Sequence, residues 1–249
     1  MRLELSSGLV TRLDYLIQVD STNLEIARRN TQNQLPNFSA LVAGEQTAGQ
    51  GRLGRTWISA PNSSISLSIL LRTSAKFESL GWVNLIAGVA MQATIAQLCP
   101  GAQVFVKWPN DVLVAGKKIA GILSAIQPDG AIVLGVGLNL LPQQGAPETA
   151  TSLSELGCTQ SFDEVLATFL THFRARWSIF DADQQLGISK TQAELRVVCS
   201  TLGQSVRAEL PGGEIIHGIA EKINEHGQLV ILRPEPLVLS AADVWHLRN

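Results

Sequence analysis

Lys107-Trp108-Pro109-Asn110-Asp111, set between Val104-Phe105-Val106 and Val112-Leu113-Val114, is the stretch on which the reading of this chain turns. Apolar runs rich in β-branched and aromatic residues of this length form strands. Proline cannot donate to a ladder and pushes the residue before it towards an extended conformation. The expected picture is a buried strand ending in a bend that projects Lys107 and Asn110 out of a core. A lysine held there is partly desolvated, and its charge acts strongly on an anion. Lys117 and Lys118 follow, and then Ile119-Ala120-Gly121-Ile122-Leu123, a further strand with a glycine where something approaches closely. An exposed lysine beside an ordinary turn has the same local sequence, so the neighbouring segments must decide.

Upstream, Ala40-Leu41-Val42-Ala43 reads as a strand leading through Gln46 into Gly49-Gln50-Gly51-Arg52-Leu53-Gly54-Arg55-Thr56-Trp57. This contains GxGxxG, but a dinucleotide fingerprint needs a helix directly after it. Here a turn, Ile58 to Asn62, follows. Then Ile65, Leu67, Ile69 and Leu71 alternate with Ser64, Ser66 and Ser68, the period of a half-buried strand. What remains is a mobile loop whose glycines allow close backbone approach and whose Arg52 and Arg55 offer forks to carboxylate or phosphate. Earlier still, a short strand from Tyr15 to Val19 precedes Ser21-Thr22-Asn23 and a helical segment. Thr22 with Glu25 fits a capping box, a complete structural explanation. A helix start also presents N–H groups and hydroxyls to a polar ligand.

Downstream, Leu80 to Leu98 reads as a long apolar helix ended by Pro100-Gly101. Strands are expected over 103–108, 111–114, 118–126 and 131–140, as a meander. Asn139, in the apolar Gly135-Val136-Gly137-Leu138-Asn139-Leu140, is either a satisfied core amide or a reader of a ligand's edge. After a loose loop from Pro142 to Pro147 come helices over 162–180 and 189–200. From Ser205 the strands are short and separated by Pro211-Gly212-Gly213, Glu225-His226-Gly227 and Pro234-Glu235-Pro236, the pattern of a small barrel. The domain boundary is placed near Leu202, giving units 1–201 and 202–249.

Composition narrows the classes. The 249 residues suffice for one sizeable domain and a small one. At 45% hydrophobic and 16% charged, the chain is a folded protein, not a disordered one. Lys+Arg 19 against Asp+Glu 21 lacks the basic excess of a general nucleic-acid binder. Cys99, Cys158 and Cys199 are too scattered to suggest a disulfide framework or a zinc site, and the four histidines read as surface or capping residues. The start resembles no signal peptide and no run is judged long enough to cross a bilayer, so a cytoplasmic protein is expected.

A Ser-Thr-Asn helix start, a glycine-arginine loop, the Lys-Trp-Pro-Asn-Asp bend and a small carboxy-terminal barrel, in this order, resemble the biotin–protein ligases (biotin–acetyl-CoA-carboxylase ligases). The likeness extends over nearly the whole chain. Its most specific segments are Lys107 to Asp111 with Lys118 to Leu123, then Gly51 to Trp57, then Gly135 to Asn139. The resemblance implies an α+β (mixed α/β) fold: a central mixed or antiparallel sheet flanked by helices, as in class II aminoacyl-tRNA synthetases, followed by an SH3-like barrel. It implies biotin as substrate, ATP with Mg²⁺, and the lysine of a biotin carboxyl carrier protein as acceptor. A homodimer is compatible with it. The family loop commonly reads Gly-Arg-Gly-Arg, whereas this chain has Gly49-Gln50-Gly51-Arg52, which puts retention of the intermediate in question if that first arginine's side chain matters. Only a short lead precedes Ser21, so the winged helix of transcription-repressing members is not expected, nor is DNA binding.

Carried over motif by motif, the resemblance implies that Ser21, Thr22, Asn23 and Gln46 bond the ureido head of biotin. Trp57 would pack on its valeryl chain, with Gly121 alongside. Gly49, Gln50, Gly51 and Arg52 would close over the intermediate. Lys107 would draw carboxylate and α-phosphate together, with Arg52 and Arg55 completing the catalytic set. Arg55, Trp57, Asn110, Lys118 and Asn139 are the ATP candidates. Asn110 and Asp111 either hold the bend or help place Mg²⁺, and no metal ligand is assigned. The rivals are a lipoate or octanoate ligase or transferase of related fold, and a biotin sensor without catalysis.

Overall fold

A computed structural model describes residues 1–210, 213–240 and 242–246. In chain order it has α1 (Glu4–Ser7), β1 (Arg12–Leu16), α2 (Thr22–Asn33), β2 (Ser39–Ala43), β3 (Ser64–Leu71) and α3 (Trp82–Leu98). Next come β4 (Val104–Lys107), β5 (Asp111–Val114), β6 (Lys117–Ile126), β7 (Ile132–Asn139), α4 (Phe162–Ala182) and α5 (Gln184–Val198). The last are β8 (Ser205–Glu209), β9 (Ile215–Ile223), β10 (Leu229–Leu232), β11 (Leu237–Leu239) and β12 (Asp243–His246). Of the turn expected at Pro211-Gly212-Gly213, Pro211 and Gly212 lie outside the described residues.

Seven strands form one sheet in the order β1-β2-β3-β7-β6-β5-β4. Only β1 runs parallel to its neighbour β2. This is the expected mixed sheet flanked by helices. Five strands form a second, antiparallel sheet in the order β11-β10-β9-β8-β12.

Alternation divides the large sheet's faces. Ile65, Leu67, Ile69, Leu71, Leu134, Val136, Leu138, Ala120 and Ile122 join the main core with α3 and α4. Helix α3 is mostly apolar because the large sheet packs against one side of it and α4 and α5 against another. The segment Phe77–Leu98 is, by length and composition alone, able to cross a membrane, contrary to the sequence reading. Burial of 67% of its apolar window marks it as a core helix. The opposite face carries Ser64, Ser66, Ser68, Gly121, Gly135 and Gly137. The serines were expected on a half-buried strand, yet every residue of β3 is buried, because α2 and the loop after β2 cover that face.

Two further differences have local causes. The capping box expected at Thr22 is absent: Ser21 is the N-cap without a side-chain cap, and Glu25 pairs with Arg28 and Arg29. The capping box forms instead at Ser161 and Glu164, opening α4. Cys99 and Cys158, unpaired in the sequence reading, form a disulfide with Cα atoms 5.8 Å apart, because the end of α3 meets the turn before α4. Cys199 is free and buried.

The second sheet is fastened to the first unit by two indoles. Trp82 and Trp108 are fully buried, and their Nε1–H groups donate to Glu225 O at 2.8 Å and Gly227 O at 3.0 Å. Both acceptors lie in the turn between β9 and β10. At Gly81 a Cβ would sit 2.5 Å from His226 O, so only glycine admits the turn this closely. Trp82→Phe keeps the packing but strands a buried carbonyl, and should lower the unfolding free energy by about 1–3 kcal/mol. Urea titration checks this; an unchanged midpoint would show that the docking contributes nothing to stability.

Candidate active site

One cavity of about 410 Å³ opens on the serine and glycine face of the large sheet. Its floor is a row of residues paired across the strands. Ser66 pairs with Gly137, Gly137 with Gly121, Gly121 with Asp111, and Asp111 with Lys107. The Trp57 indole lies across the two glycines. A Cβ at Gly137 would come 2.5 Å from Cε2 and Cζ2 of that ring, and one at Gly121 3.2 Å from Cζ3. The glycines are there because the ring occupies the space a side chain would need.

At one end, Gln46 Oε1 accepts from Thr22 N–H at 2.8 Å and from Thr22 Oγ1 at 3.0 Å. Gln46 thus caps α2 from the loop after β2. Ser68 Oγ donates to Asn23 Oδ1 at 2.5 Å and lies 2.8 Å from Thr22 Oγ1. Asn23 Nδ2 donates to Leu123 O at 3.3 Å. A Cβ at Gly135 would collide with the Asn23 amide. The end is polar yet uncharged, since Ser21, Thr22, Asn23 and Gln46 line it; nearby Asp20, outside the lining, is held as a carboxylate below its usual pKa by the Arg28 guanidinium.

At the other end cations converge. Lys107, Arg52, Arg55 and Lys118 all line the cavity. Lys118 Nζ lies 2.6 Å from Asp111 Oδ1 and 5.9 Å from the Trp57 ring centre. Arg52 donates to Asn110 Oδ1 at 3.1 Å and to Ala242 O at 3.3 Å. The bend that carries Lys107 contains a cis Trp108-Pro109 peptide. Its direction differs from expectation at Asn110, which is buried, with Nδ2 donating to Ile122 O at 2.9 Å. Beside Lys107, burial and the lysine's charge together hold the His246 imidazole below its ordinary pKa.

The glycine loop is a short hairpin. Trp57 N–H donates to Gly49 O at 2.9 Å and Gly51 N–H to Arg55 O at 2.7 Å, with Leu53 and Gly54 left-handed at the tip. Of the residues singled out from the sequence, Ser21, Thr22, Asn23, Gln46, Gln50 and Gly51 line the cavity, as do Trp57, Asn110, Gly121 and Asn139. Gly49 does not: it sits behind the wall, where a Cβ would meet Trp57 O at 2.5 Å. Asn139 spends its amide on the protein, donating to Thr151 O at 3.0 Å and accepting from Gln143 at 3.2 Å. Through Gln143 it tethers the Pro142 to Pro147 loop, and Gln143 and Pro147 of that loop, with Thr149 just after it, form a wall.

Sequence reasoning missed three contributors. Ser68 was visible only as one member of a periodic serine face. Gly137 reads in the sequence only as one glycine of an apolar strand, with nothing to mark the indole that it admits. Ala242, Val244 and Trp245 form a wall from the second sheet, with the Arg207 guanidinium 4.7 Å above the Trp245 ring. No local signal joins β12 to a cavity a hundred residues earlier.

Residues 15–140 match the Biotin/lipoate A/B protein ligase family, and residues 201–247 match the biotin protein ligase C terminal domain. The biotin–[acetyl-CoA-carboxylase] ligase of Mycobacterium tuberculosis is 38% identical over 248 residues, spanning 95% of this chain and 90% of that protein. The protein of the same description from Paracoccus denitrificans is 29% identical over 246 residues, spanning 92% and 98%. The solved structure of the biotin protein ligase from Aquifex aeolicus in complex with biotin and ATP superposes with a TM-score of 0.79 at 26% identity, covering 96% of this chain and 100% of that one. A chain that matches both the catalytic and the carboxy-terminal family descriptions belongs to the biotin/lipoate A/B protein ligase family, on the branch that carries the biotin protein ligase C-terminal domain.

Proposed function

We propose that this chain is an ATP-dependent biotin–protein ligase, with residues 1–201 as catalytic unit and 202–249 as a small second domain. One observation carries the reading: a neutral polar end and a cationic end share a single cavity, with an indole on two glycines between them. The volume suits a small-molecule site, for which about 300–1,000 Å³ is usual. A ureido ring offers one acceptor and two donors, the complement of hydroxyls and amides such as Thr22, Asn23 and Gln46. The apolar valeryl chain runs along Trp57. A fatty acyl group would have no use for the polar end, and the match to the biotin ligase C-terminal domain further disfavours lipoate. A sensor that only binds biotin would have no use for the cations.

In the first step a biotin carboxylate oxygen bonds to the α-phosphorus of ATP and the bond to the β-phosphate oxygen breaks, releasing diphosphate. Two anions must meet, and the Lys107 ammonium lowers the repulsion between them. Arg55 and Lys118 take further phosphate charge, and Asn139 with its tethered loop flanks the nucleotide. In the second step the amine of a carrier lysine attacks the acyl carbon of biotinyl-5′-adenylate, losing a proton as AMP departs. Until then the Gln50-Gly51-Arg52 hairpin keeps water from the anhydride.

Mg²⁺ fits this site through Asp111, the one carboxylate lining the cavity among the described residues. No cluster of three metal-ligating side chains is found among those residues. That suits an ion held by a carboxylate, substrate phosphates and water. Bound there it would neutralise phosphate charge, with Asp111 as its protein ligand. A biotin carboxyl carrier protein as acceptor and a cytoplasmic location belong to the same proposal, because the reaction consumes ATP and the curated relatives are named for acetyl-CoA carboxylase.

Lys107→Ala should slow diphosphate release from biotin and ATP by a hundredfold or more, about 3–4 kcal/mol, while the fold persists. Release within tenfold of wild type would remove Lys107 from this role, and lipoate in place of biotin serves as the control. Gly137→Ala should displace the Trp57 indole, raise the KM for biotin at least tenfold, or about 1.4 kcal/mol, and alter tryptophan emission. An unchanged KM would show that the ring does not shape the biotin site.

A further inference from the structure

Two consecutive side chains of the bend serve different cations. Asp111 faces the cavity and takes Lys118 at 2.6 Å. Asn110 turns towards Arg52, and both ends of its amide are engaged, Oδ1 by Arg52 and Nδ2 by Ile122 O. The main chain repeats the link, since Ile122 N–H donates to Asn110 O at 2.9 Å. Asn110 is therefore locked to β6 beside the Asp111–Gly121 pair and has one acceptor to offer. That acceptor meets a guanidinium whose other arm reaches Ala242 O, at the start of β12.

Resting on the reading of this cavity as a biotinyl-adenylate site, we infer that Asn110 is a positioning residue: it fixes the Arg52 guanidinium between the bend and the second sheet, and touches neither nucleotide nor metal. The chemistry of the pocket explains the choice of residue. The Ile122 carbonyl is buried and requires a donor, which a carboxylate lacks. Arg52 requires an acceptor, which an aliphatic residue lacks. An amide supplies both. Arg52 sits on the hairpin that covers the intermediate, so Asn110 governs how long the adenylate is retained, not how fast it forms.

The test uses the full chain, with biotinyl-5′-adenylate formed in place from biotin and ATP. Its dissociation rate is measured by chase, and the KM for ATP by diphosphate release. Arg52→Gly sets the reference for a hairpin that no longer holds its ligand. Asn110→Ala should speed adenylate release about ten- to a hundredfold, as loss of a charge-assisted bond does, leave the KM for ATP within threefold, or about 0.7 kcal/mol, and add nothing to Arg52→Gly in the double variant. Asn110→Asp is the discriminating substitution. It strips the same donor from Ile122 O, so it shares the fold cost of Asn110→Ala, but it keeps an acceptor for Arg52 and should slow release back towards wild type. A nucleotide contact predicts the opposite, because a carboxylate there would repel the triphosphate. A KM for ATP raised tenfold or more in Asn110→Asp, or adenylate held as tightly by Asn110→Ala as by wild type, would overturn the inference. If wild type makes no adenylate from biotin and ATP, the functional reading itself has failed, which is a separate result.

Discussion

Four cations around one cavity repel each other unless the protein supplies counter-groups, and the Lys107 to Asp111 bend is where much of that supply is built. Unit charges a few ångströms apart cost several kcal/mol at the effective dielectric of a protein surface, about 4 kcal/mol at 4 Å. The bend spaces three of the four. It carries Lys107 itself, it gives Asp111 to Lys118 at 2.6 Å, and it gives Asn110 to Arg52 at 3.1 Å. His246, the titratable neighbour of Lys107, is kept from adding a further positive charge by burial and by the lysine. Only one full negative charge is spent, so the site retains an excess of positive potential for incoming anions. A carboxylate at each position would have neutralised the field that the chemistry needs.

The sheet beneath solves a different problem. One face must pack against α3, and the other must leave room for a ligand and an indole. Strict alternation gives each strand both properties. In β3 the Ile and Leu side chains go to the core while Ser66 and Ser68 stay small and polar towards the site. In β7 the partner positions are glycine, and Trp57 and Asn23 fill the volume that those glycines leave. Glycine in a strand interior weakens the strand. Here the weakness is offset by central position, since β7 is paired on both sides along most of its length.

Much of this was legible in the sequence, for identifiable reasons. Period-2 alternation located β3, continuous apolar runs located β2 and the β4 to β7 meander, and turn residues bounded the short strands after Ser205. The motif residues were recognisable because each combines a charge or amide with an apolar or glycine-rich setting. What stayed hidden depends on contacts distant in sequence. Thr22 and Glu25 satisfy a capping rule locally, but Gln46, two dozen residues on, reaches Thr22 first. Asn110 looks exposed beside a proline, and only the β5–β6 pairing buries it. The serines of β3 look like a solvent face until α2 covers them. Cys99 and Cys158 are paired by helix packing across 59 positions, which spacing cannot reveal.

The second sheet shows why a boundary in the chain need not be a boundary in the site. Among its contacts with the first unit, two lead to the reacting end of the cavity. Trp108, directly after Lys107, donates its indole N–H to Gly227 O in the turn between β9 and β10. Arg52 on the hairpin donates to Ala242 O. The lysine and the arginine lie on segments 55 positions apart, yet both are referred to the same small sheet. One body bonded to both segments constrains their relative placement more than either loop could alone, since a single hydrogen bond leaves a hinge. The small sheet thus acts as a clamp on the geometry of the cations, and its apolar wall at Val244 and Trp245 completes the same cavity that the clamp holds in shape.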